Sequence, residues 1–306
     1  GRTAVPPARK IAIDRHHHAA PFLAVTFGIA LFSLMDGLMK GASLAVGAYS
    51  AMLFRSLFGT ALMFPLWKWR GGAWPDVSSM KLHALRGAVS GAMATSFFWG
   101  LVYLPMAEGI ALSFIAPLIA LFLAAVLLGE QIGRGAVIAS VLGLAGVVVI
   151  AAARIGDEST ADPMAAWGIA AILVSAVLYA FNLILQRKQA LIAGPVEVAL
   201  FQTVWVGIFL GLASPWLAVW PDPEAFALIF GGAVLAMISL MVISWGYGRA
   251  ETQALLPIEY TAFIWAALFG WLMFDEEVTL ATVAGAVLIV AGCLIAARRP
   301  TEQTAL

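Results

Sequence analysis

Apolar runs of about twenty residues recur along the chain, each bounded by charges or by Pro and Gly. They predict helices over 21–40, 48–67, 83–104, 108–128, 135–153, 164–186, 196–217, 225–248, 252–274 and 279–297. A helix needs roughly 20 apolar residues to cross a bilayer. Lipid offers the backbone no hydrogen-bond partner, so only helices and closed barrels cross it. Barrel strands are about ten residues long and alternate apolar with polar positions, and these runs do neither. The expected fold is all-α: a polytopic membrane protein with ten transmembrane helices. The short connections at 105–107 and 249–251 make the helices on either side antiparallel neighbours.

Composition strengthens this picture. Of 306 residues, 62% are hydrophobic and 11% charged, against about 45–50% and about 25% in a soluble domain. Ten spans use about 200 residues, which leaves too few for a separate soluble catalytic or binding domain. The formal net charge of zero argues against nucleic acid as a partner. Cys293 is the one cysteine, so no disulfide forms within the chain. The first apolar run is too long for a signal-peptide core and is expected to be a retained span. His16-His17-His18, just before it, reads as solvated tail rather than as a metal site.

Charge placement orients the bundle. With both termini on the cytoplasmic side, the inner loops and tails hold Arg2, Arg9, Lys10, Arg15, Lys68, Arg70, Lys81, Arg86, Arg134, Arg187, Lys188, Arg249, Arg298 and Arg299. That is 14 of the 17 basic residues. Lys40 and Arg154 fall outside and Arg55 within a span. The positive-inside rule asks for this bias, and a miscount by one span would scramble it.

The chain also repeats itself. Glu130, after span four, and Glu276, after span nine, are 146 residues apart. At that offset Ala145-Gly146 falls on Ala291-Gly292 and Ala120 on Ala266; at 147, Phe54-Arg55 falls on Phe201-Gln202. Spans one to five and six to ten are therefore two copies, and because five is odd the second copy is inverted. Inverted repeats place a functional site near the bilayer midplane, between the halves, and support alternating access. The expected organisation is a cytoplasmic tail over 1–20, a first repeat over 21–153, an outer linker over 154–163, a second repeat over 164–297 and a cytoplasmic tail over 298–306.

These segments resemble a known family. Ala116-Pro117-Leu118-Ile119-Ala120 through Gly129-Glu130, then Leu142-Gly143-Leu144-Ala145-Gly146, with the second copy from Ala266 through Glu276 to Ala291-Gly292, resemble the drug/metabolite transporter superfamily, EamA type. The resemblance covers roughly residues 21–297. Within the superfamily the chain is most similar to the YddG-like amino-acid exporters, which implies export of aromatic and other amino acids across a bacterial inner (plasma) membrane. The second copy departs from the family's Gly-Glu with Asp275-Glu276-Glu277, acids expected in an outer loop.

A charge within a span costs about 2.5–3.5 kcal/mol on insertion scales and marks a function or a pair. Asp36 and Arg55 lie at similar depth on antiparallel neighbours and are candidates for an ion pair. One repeat later, Asn182 and Gln202 offer an amide pair at the mirrored depth. Glu259 follows Pro257, which can kink or break span nine; it is a candidate for substrate capture or proton transfer. Pro117 is the comparable bending feature of span four. Trp99, Tyr103, Tyr179, Trp245, Tyr247, Tyr260 and Trp265 cluster near candidate cavity depths. Trp99 and Tyr260 are the better pocket candidates, while Trp67, Trp69 and Trp74 read as interface-belt residues. Ser113, Ser239 and Ser244 can supply hydroxyls or bond back to their own helices. The spacings Gly37/Gly41, Gly87/Gly91 and Gly207/Gly211 allow close helix contact; internal packing is favoured over dimerisation, so a monomer is expected.

No GxxxxGK[ST], HExxH or GxSxG motif occurs, so neither an enzyme nor a cofactor is expected. The expected activity is secondary transport of small solutes, amino-acid export first, through a cavity formed by spans 1, 3, 4, 6, 8 and 9, with spans 5 and 10 as scaffold. The alternatives are a passive channel and an exporter of other metabolites or drugs. The expected partners are the lipid bilayer and the small-molecule substrate.

Overall fold

The computed structural model describes residues 16–128, 134–156, 163–249, 255 and 258–297. Every regular element among them is a helix: α1 His16–Trp69, α2 Val77–Tyr103, α3 Met106–Ser113, α4 Ala116–Leu128, α5 Arg134–Gly156, α6 Ala165–Ala190, α7 Pro195–Leu212, α8 Ser214–Leu217, α9 Pro223–Tyr247, α10 Ala262–Phe274 and α11 Leu280–Ala297. The tails 1–15 and 298–306, Glu130 and Pro257 lie outside the described residues. α1 begins inside the predicted tail.

These helices make ten crossings. α1 makes two, because it folds at Gly47, whose φ of 81° and ψ of 150° suit glycine. The connection expected over 41–47 is thus helical up to the bend, since its Ala, Ser and Leu residues carry no helix-breaking feature. α3 and α4 make one crossing in two pieces, and α2, α5, α6, α7, α9 and α11 make one each. α10, with 258–261 before it, makes the last. Span seven stops early, at Leu212, and the short α8 follows. α9, with 25 residues, is about 37 Å long at 1.5 Å per residue, enough for a core about 30 Å thick. We call the end where α1 begins and α11 finishes the near end, and the opposite end the far end.

The packing carries the repeat. α2 lies along α6, and its counterpart in the other half, α9, lies along the first arm of α1. α4 meets α6, as α10 meets α1. α5 packs on its own counterpart α11, α7 on the second arm of α1, and α3 on α10. Exchanging the halves preserves each of these pairings, so the fold is two five-helix repeats in inverted orientation. Large apolar residues cover the outside, as on α5 (Val141, Leu144, Val148) and α11 (Leu280, Val287). Buried polar side chains, including Asp36, Lys40, Arg86 and Glu108, gather inside. That distribution suits lipid as the solvent.

The α5–α11 pair is held by backbone proximity. A Cβ on Gly285 would sit 2.7 Å from the Gly146 carbonyl, one on Gly146 would sit 2.5 Å from the Gly285 carbonyl, and one on Gly292 would sit 2.6 Å from Ala139 O. Of the predicted pairs, Gly87 and Gly91 admit Trp205 and Val206 of α7, Gly37 and Gly41 admit α9 and α10, and Gly207 meets Ser56 of α1, but Gly211 faces open space. Gly285→Val is expected to cost about 1–3 kcal/mol through overpacking. Gly211→Ala should be neutral or gain up to about 1 kcal/mol from helix propensity. Thermal unfolding in detergent compares the two, and equal losses would contradict this packing.

Candidate functional site

Polar side chains gather in three layers along the bundle axis. At the far end, α10 closes with Asp275 in the left-handed conformation at φ 55°, while the Glu276 amide donates back to Gly270 O at 3.2 Å. This helix-ending motif reverses the chain and turns Glu276 inward. Its Oε2 accepts from the Met106 amide at 2.8 Å, one of the unpaired N–H groups at the start of α3. Its Oε1 pairs with the Lys40 ammonium, which also donates to Leu104 O at 2.6 Å and lies 5.2 Å from the Phe274 ring centroid. Beside this pair, Glu108 Oε2 faces Arg154 Nε at 3.8 Å, and Glu108 Oε1 accepts from Thr282 at 3.4 Å. Lys40 and Glu108 are each 4% exposed. Two cations and two carboxylates thus balance in a buried cluster. The Lys40–Glu276, Met106–Glu276 and Glu108–Thr282 contacts each join one repeat to the other.

The prediction erred here. Glu276 lies in the connection 275–279, where a loop acid was expected, but its side chain turns into the protein, and Lys40 and Arg154 are not loop cations. Helices α1 and α5 run past the apolar windows that end at 40 and 153, so the charges at those edges fall inside the protein.

In the middle layer, two helix breaks meet. Phe114 and Ile115 interrupt span four, and Tyr260 and Thr261 form the turn before α10. The breaks are one repeat apart, since 114 plus 146 is 260. Pro117 is the second residue of α4; it has no N–H for the Ser113 carbonyl, and its ring crowds that carbonyl, so the helix stops just before it. The Phe114 and Tyr260 rings meet edge to face at 5.2 Å and 89°. Cys293 of α11 donates its thiol to Phe114 O at 3.2 Å. Asp36 and Arg55 also lie deep in the bundle, each within the other's field. No direct ion pair forms between them: Arg55 Nη1 instead lies 3.3 Å from Met35 Sδ, and its guanidinium lies 6.0 Å from the Phe98 ring centroid.

Near-end chemistry centres on a residue that had been counted with the loops. Arg86, 5% exposed, donates from Nε to Asn182 Oδ1 at 3.2 Å and from Nη1 to Gln189. Ser90 donates to the same Asn182 oxygen at 3.1 Å. Gln189 bonds the His83 ring, whose other nitrogen lies 3.1 Å from Glu197. The network ties α2 to α6 and α7. Asn182 therefore serves Arg86 and Ser90, and the amide pair expected with Gln202 does not form. Tyr179 lies one helical turn from Asn182. It is 41% exposed, and Arg86 and Glu259 lie near enough for their charges to reach it. Glu259 accepts from the Tyr247 hydroxyl.

The remaining predicted residues disperse. Trp99 packs edge-on against Tyr103 at 4.9 Å. Trp245 is exposed beneath the Arg249 guanidinium, 4.2 Å away, and Ser244 beside it is exposed as well. Ser113 bonds back to Gly109 O at 2.8 Å. Ser239 reaches across from α9 to Gly28 O at 2.7 Å. The Trp265 indole N–H is buried without a hydrogen-bond partner among the described residues. Trp67 is 3% exposed and packs on Trp74 and Phe201, so it belongs to the core rather than to an interface belt. A cleft of about 390 Å³ between Gly41, Asp222, Leu228 and Phe274 opens at the far end and touches none of the predicted site residues.

Removing one member of a buried ion pair strands the other, at about 3–5 kcal/mol. Lys40→Met and Glu276→Leu should each destabilise the protein by roughly that amount, and the double variant by clearly less than their sum. Thermal unfolding of the four proteins reads the coupling, and additive losses would contradict the pair.

Comparison with other proteins completes the picture. The model of the EamA-like transporter family matches residues 19–152 and again residues 166–298. The pseudopaline exporter CntI of Pseudomonas aeruginosa is 24% identical over 269 residues, 87% of this chain and 92% of that one. The S-adenosylmethionine uptake transporter of Rickettsia prowazekii is 25% identical over 264 residues, 86% of this chain and 87% of that one. A solved crystal structure, 22% identical, superposes with a TM-score of 0.59 over 91% of this chain and 96% of its own, which supports the fold. Matched once in each of the two repeats that the packing relates, the chain belongs to the EamA-like transporter family, within the drug/metabolite transporter superfamily.

Proposed function

We propose that this chain is a secondary transporter of a bacterial inner membrane that exports amino acids, aromatic ones among them, by alternating access. The observation that carries the reading is a polar tie between two inverted repeats at one end of the bundle. The far end is joined across the repeats by Lys40, Glu276, Glu108 and Thr282. A carrier held at one end by contacts between its halves has this form, and inverted repeats supply the second form by exchanging roles.

The near end is assigned to the cytoplasm because it takes 14 of the 17 basic residues, which also places both termini there. Substrate then enters from the cytoplasm and leaves at the far end. The named relatives differ in direction, one an exporter and one an uptake transporter, so the assigned direction rests on the resemblance to the YddG-like exporters. Amino acids are favoured by the resemblance to the YddG-like exporters, and Tyr247 beside the exposed Glu259 offers an aromatic ring with a polar handle, a combination suited to small amphipathic ligands. In this reading the repeat boundaries stay at 21–153 and 164–297, and the bundle works as a monomer.

Counterflow in proteoliposomes tests this reading. Unlabelled amino acid on the trans side should drive transient accumulation of labelled amino acid. Simple equilibration without overshoot would make the protein a passive channel, and overshoot only with other metabolites would remove the amino-acid assignment. Glu259→Gln should lower flux by about tenfold, the worth of a charged hydrogen bond, without loss of expression. Wild-type flux in that variant would remove Glu259 from the pathway.

A further inference from the structure

We propose that the groove between the start of α2 and α7 binds an anionic phospholipid, with an acyl chain along Trp205 and the phosphate at Lys81. The site does not depend on what the chain transports; its place in the inner leaflet rests on the orientation proposed above.

The groove is a cavity of about 280 Å³ at the near end, lined by Pro75, Val77, Met80, Lys81, Ala84 and Trp205. Small-molecule pockets hold roughly 300–1,000 Å³, so this one suits a segment of a longer ligand. All of its lining residues but Lys81 are apolar. The indole N–H of Trp205 is taken up by Met80 Sδ at 3.4 Å, which leaves the wall without a free side-chain donor other than Lys81. Lys81 is exposed and forms no ion pair among the described residues. The neighbouring acids are engaged elsewhere. Asp76 accepts from the Ser78 and Ser79 amides at 3.1 and 3.4 Å, and Glu197 faces His83. The first amides of α2 are thus capped, and the cation on offer is the Lys81 side chain.

From the groove an apolar strip runs toward the middle of the bilayer. α7 leads from the near end to the far end, and Trp205, Phe209 and Leu212, spaced four and three residues apart, share one face of it. The Phe209 ring lies 5.8 Å from that of Trp205, and Phe209 and Leu212 are both exposed. On α2, Val77, Lys81, Ala84 and Leu85 share a face by the same spacing, and Val77 and Leu85 are exposed. A lysine stem lies along apolar surface while its ammonium reaches headgroup depth. Further positive charge stands at the same end of the bundle. Lys68 and Arg70, at the close of α1 and in the turn toward Pro75, are exposed. Lys68 lies 4.9 Å from the Trp67 ring centroid, and Trp67 meets Trp74, the residue before Pro75, at 5.4 Å. Basic residues at a membrane face attract anionic lipid. A neutral lipid would fill the strip and leave Lys81 without an anion, and a soluble anion would leave the strip unused. An anionic phospholipid satisfies both.

The test is native mass spectrometry of the full chain, delipidated in detergent and offered equal amounts of phosphatidylglycerol and phosphatidylcholine with identical acyl chains. The expected result is a preference for phosphatidylglycerol of about fivefold or more. Glycerol 3-phosphate, which carries the anion without the chains, should not displace the bound lipid. Lys81→Gln should cut the preference to about twofold or less. Ala84→Phe, which fills the groove, should lower the amount of phosphatidylglycerol bound. Val77→Glu sets a carboxylate at an exposed position of the same lining; it should have the same effect and decides the matter where Ala84→Phe fails to fold. The proposal is overturned where the two lipids bind equally, where glycerol 3-phosphate displaces the lipid, where Lys81→Gln keeps the full preference, or where the groove variants bind as much phosphatidylglycerol as the wild type. Flux is not read, so the outcome stands apart from that of the transporter reading.

Discussion

A charge buried in a bilayer-spanning bundle needs a partner from the protein, because lipid supplies none. In this chain the partners come largely from the opposite repeat. Lys40 and Glu108 of the first repeat are answered by Glu276 and Thr282 of the second. Arg86 of the first repeat is answered by Asn182 and Gln189 of the second. Helices in lipid gain little from apolar contact with one another, so these polar contacts, with the close approach of Gly146 and Gly285, fix how the two halves sit. The buried charges set the working geometry of the molecule as well as its stability.

Backbone and side chains obey the repeat to different degrees. The backbone obeys it closely: the breaks at Phe114 and Tyr260 are one repeat apart and touch. The side chains depart from it. One repeat on from Arg86 the chain carries Gly232 and Ala233, and Asp36 gives way to Asn182. In the proposed alternating-access reading, a symmetric scaffold with asymmetric charges would give two related conformations that differ in energy, so that a carrier could face two sides in turn while favouring one.

Much of this was legible in the sequence, and the failures have a common cause. The spans and their inversion follow from hydropathy, charge bias and the spacing of Glu130 and Glu276; the family was indicated by the resemblance of the segments around Pro117, Glu130 and Gly146. The break in span four was signalled by Pro117. Lys40, Arg86, Glu108 and Arg154 were missed as a group, because each stands at or near the end of an apolar window, where a charge reads as belonging to the membrane face. In the fold their helices carry them inside, where partners remote in sequence compensate the charges. The pairing of Asn182 failed for a related reason. Equal depth within one repeat is weaker evidence than a neighbour from the other repeat, and such neighbours are set by packing. Trp67 read as an interface residue by position along the helix; the face it presents, toward Phe201, is not visible from position alone.

The central claim is that the far-end charges hold the two repeats together on that side. Spin labels at the exposed Leu44 of α1 and Leu280 of α11, in a chain with Cys293 replaced, report the far-end separation directly by double electron–electron resonance in nanodiscs. With Lys40 and Glu276 both present, a single short distance is expected. In the Lys40→Met, Glu276→Leu protein the distribution should broaden and move to longer distance. An unchanged distribution would contradict the account, because the halves would then be held at that end by something other than these charges.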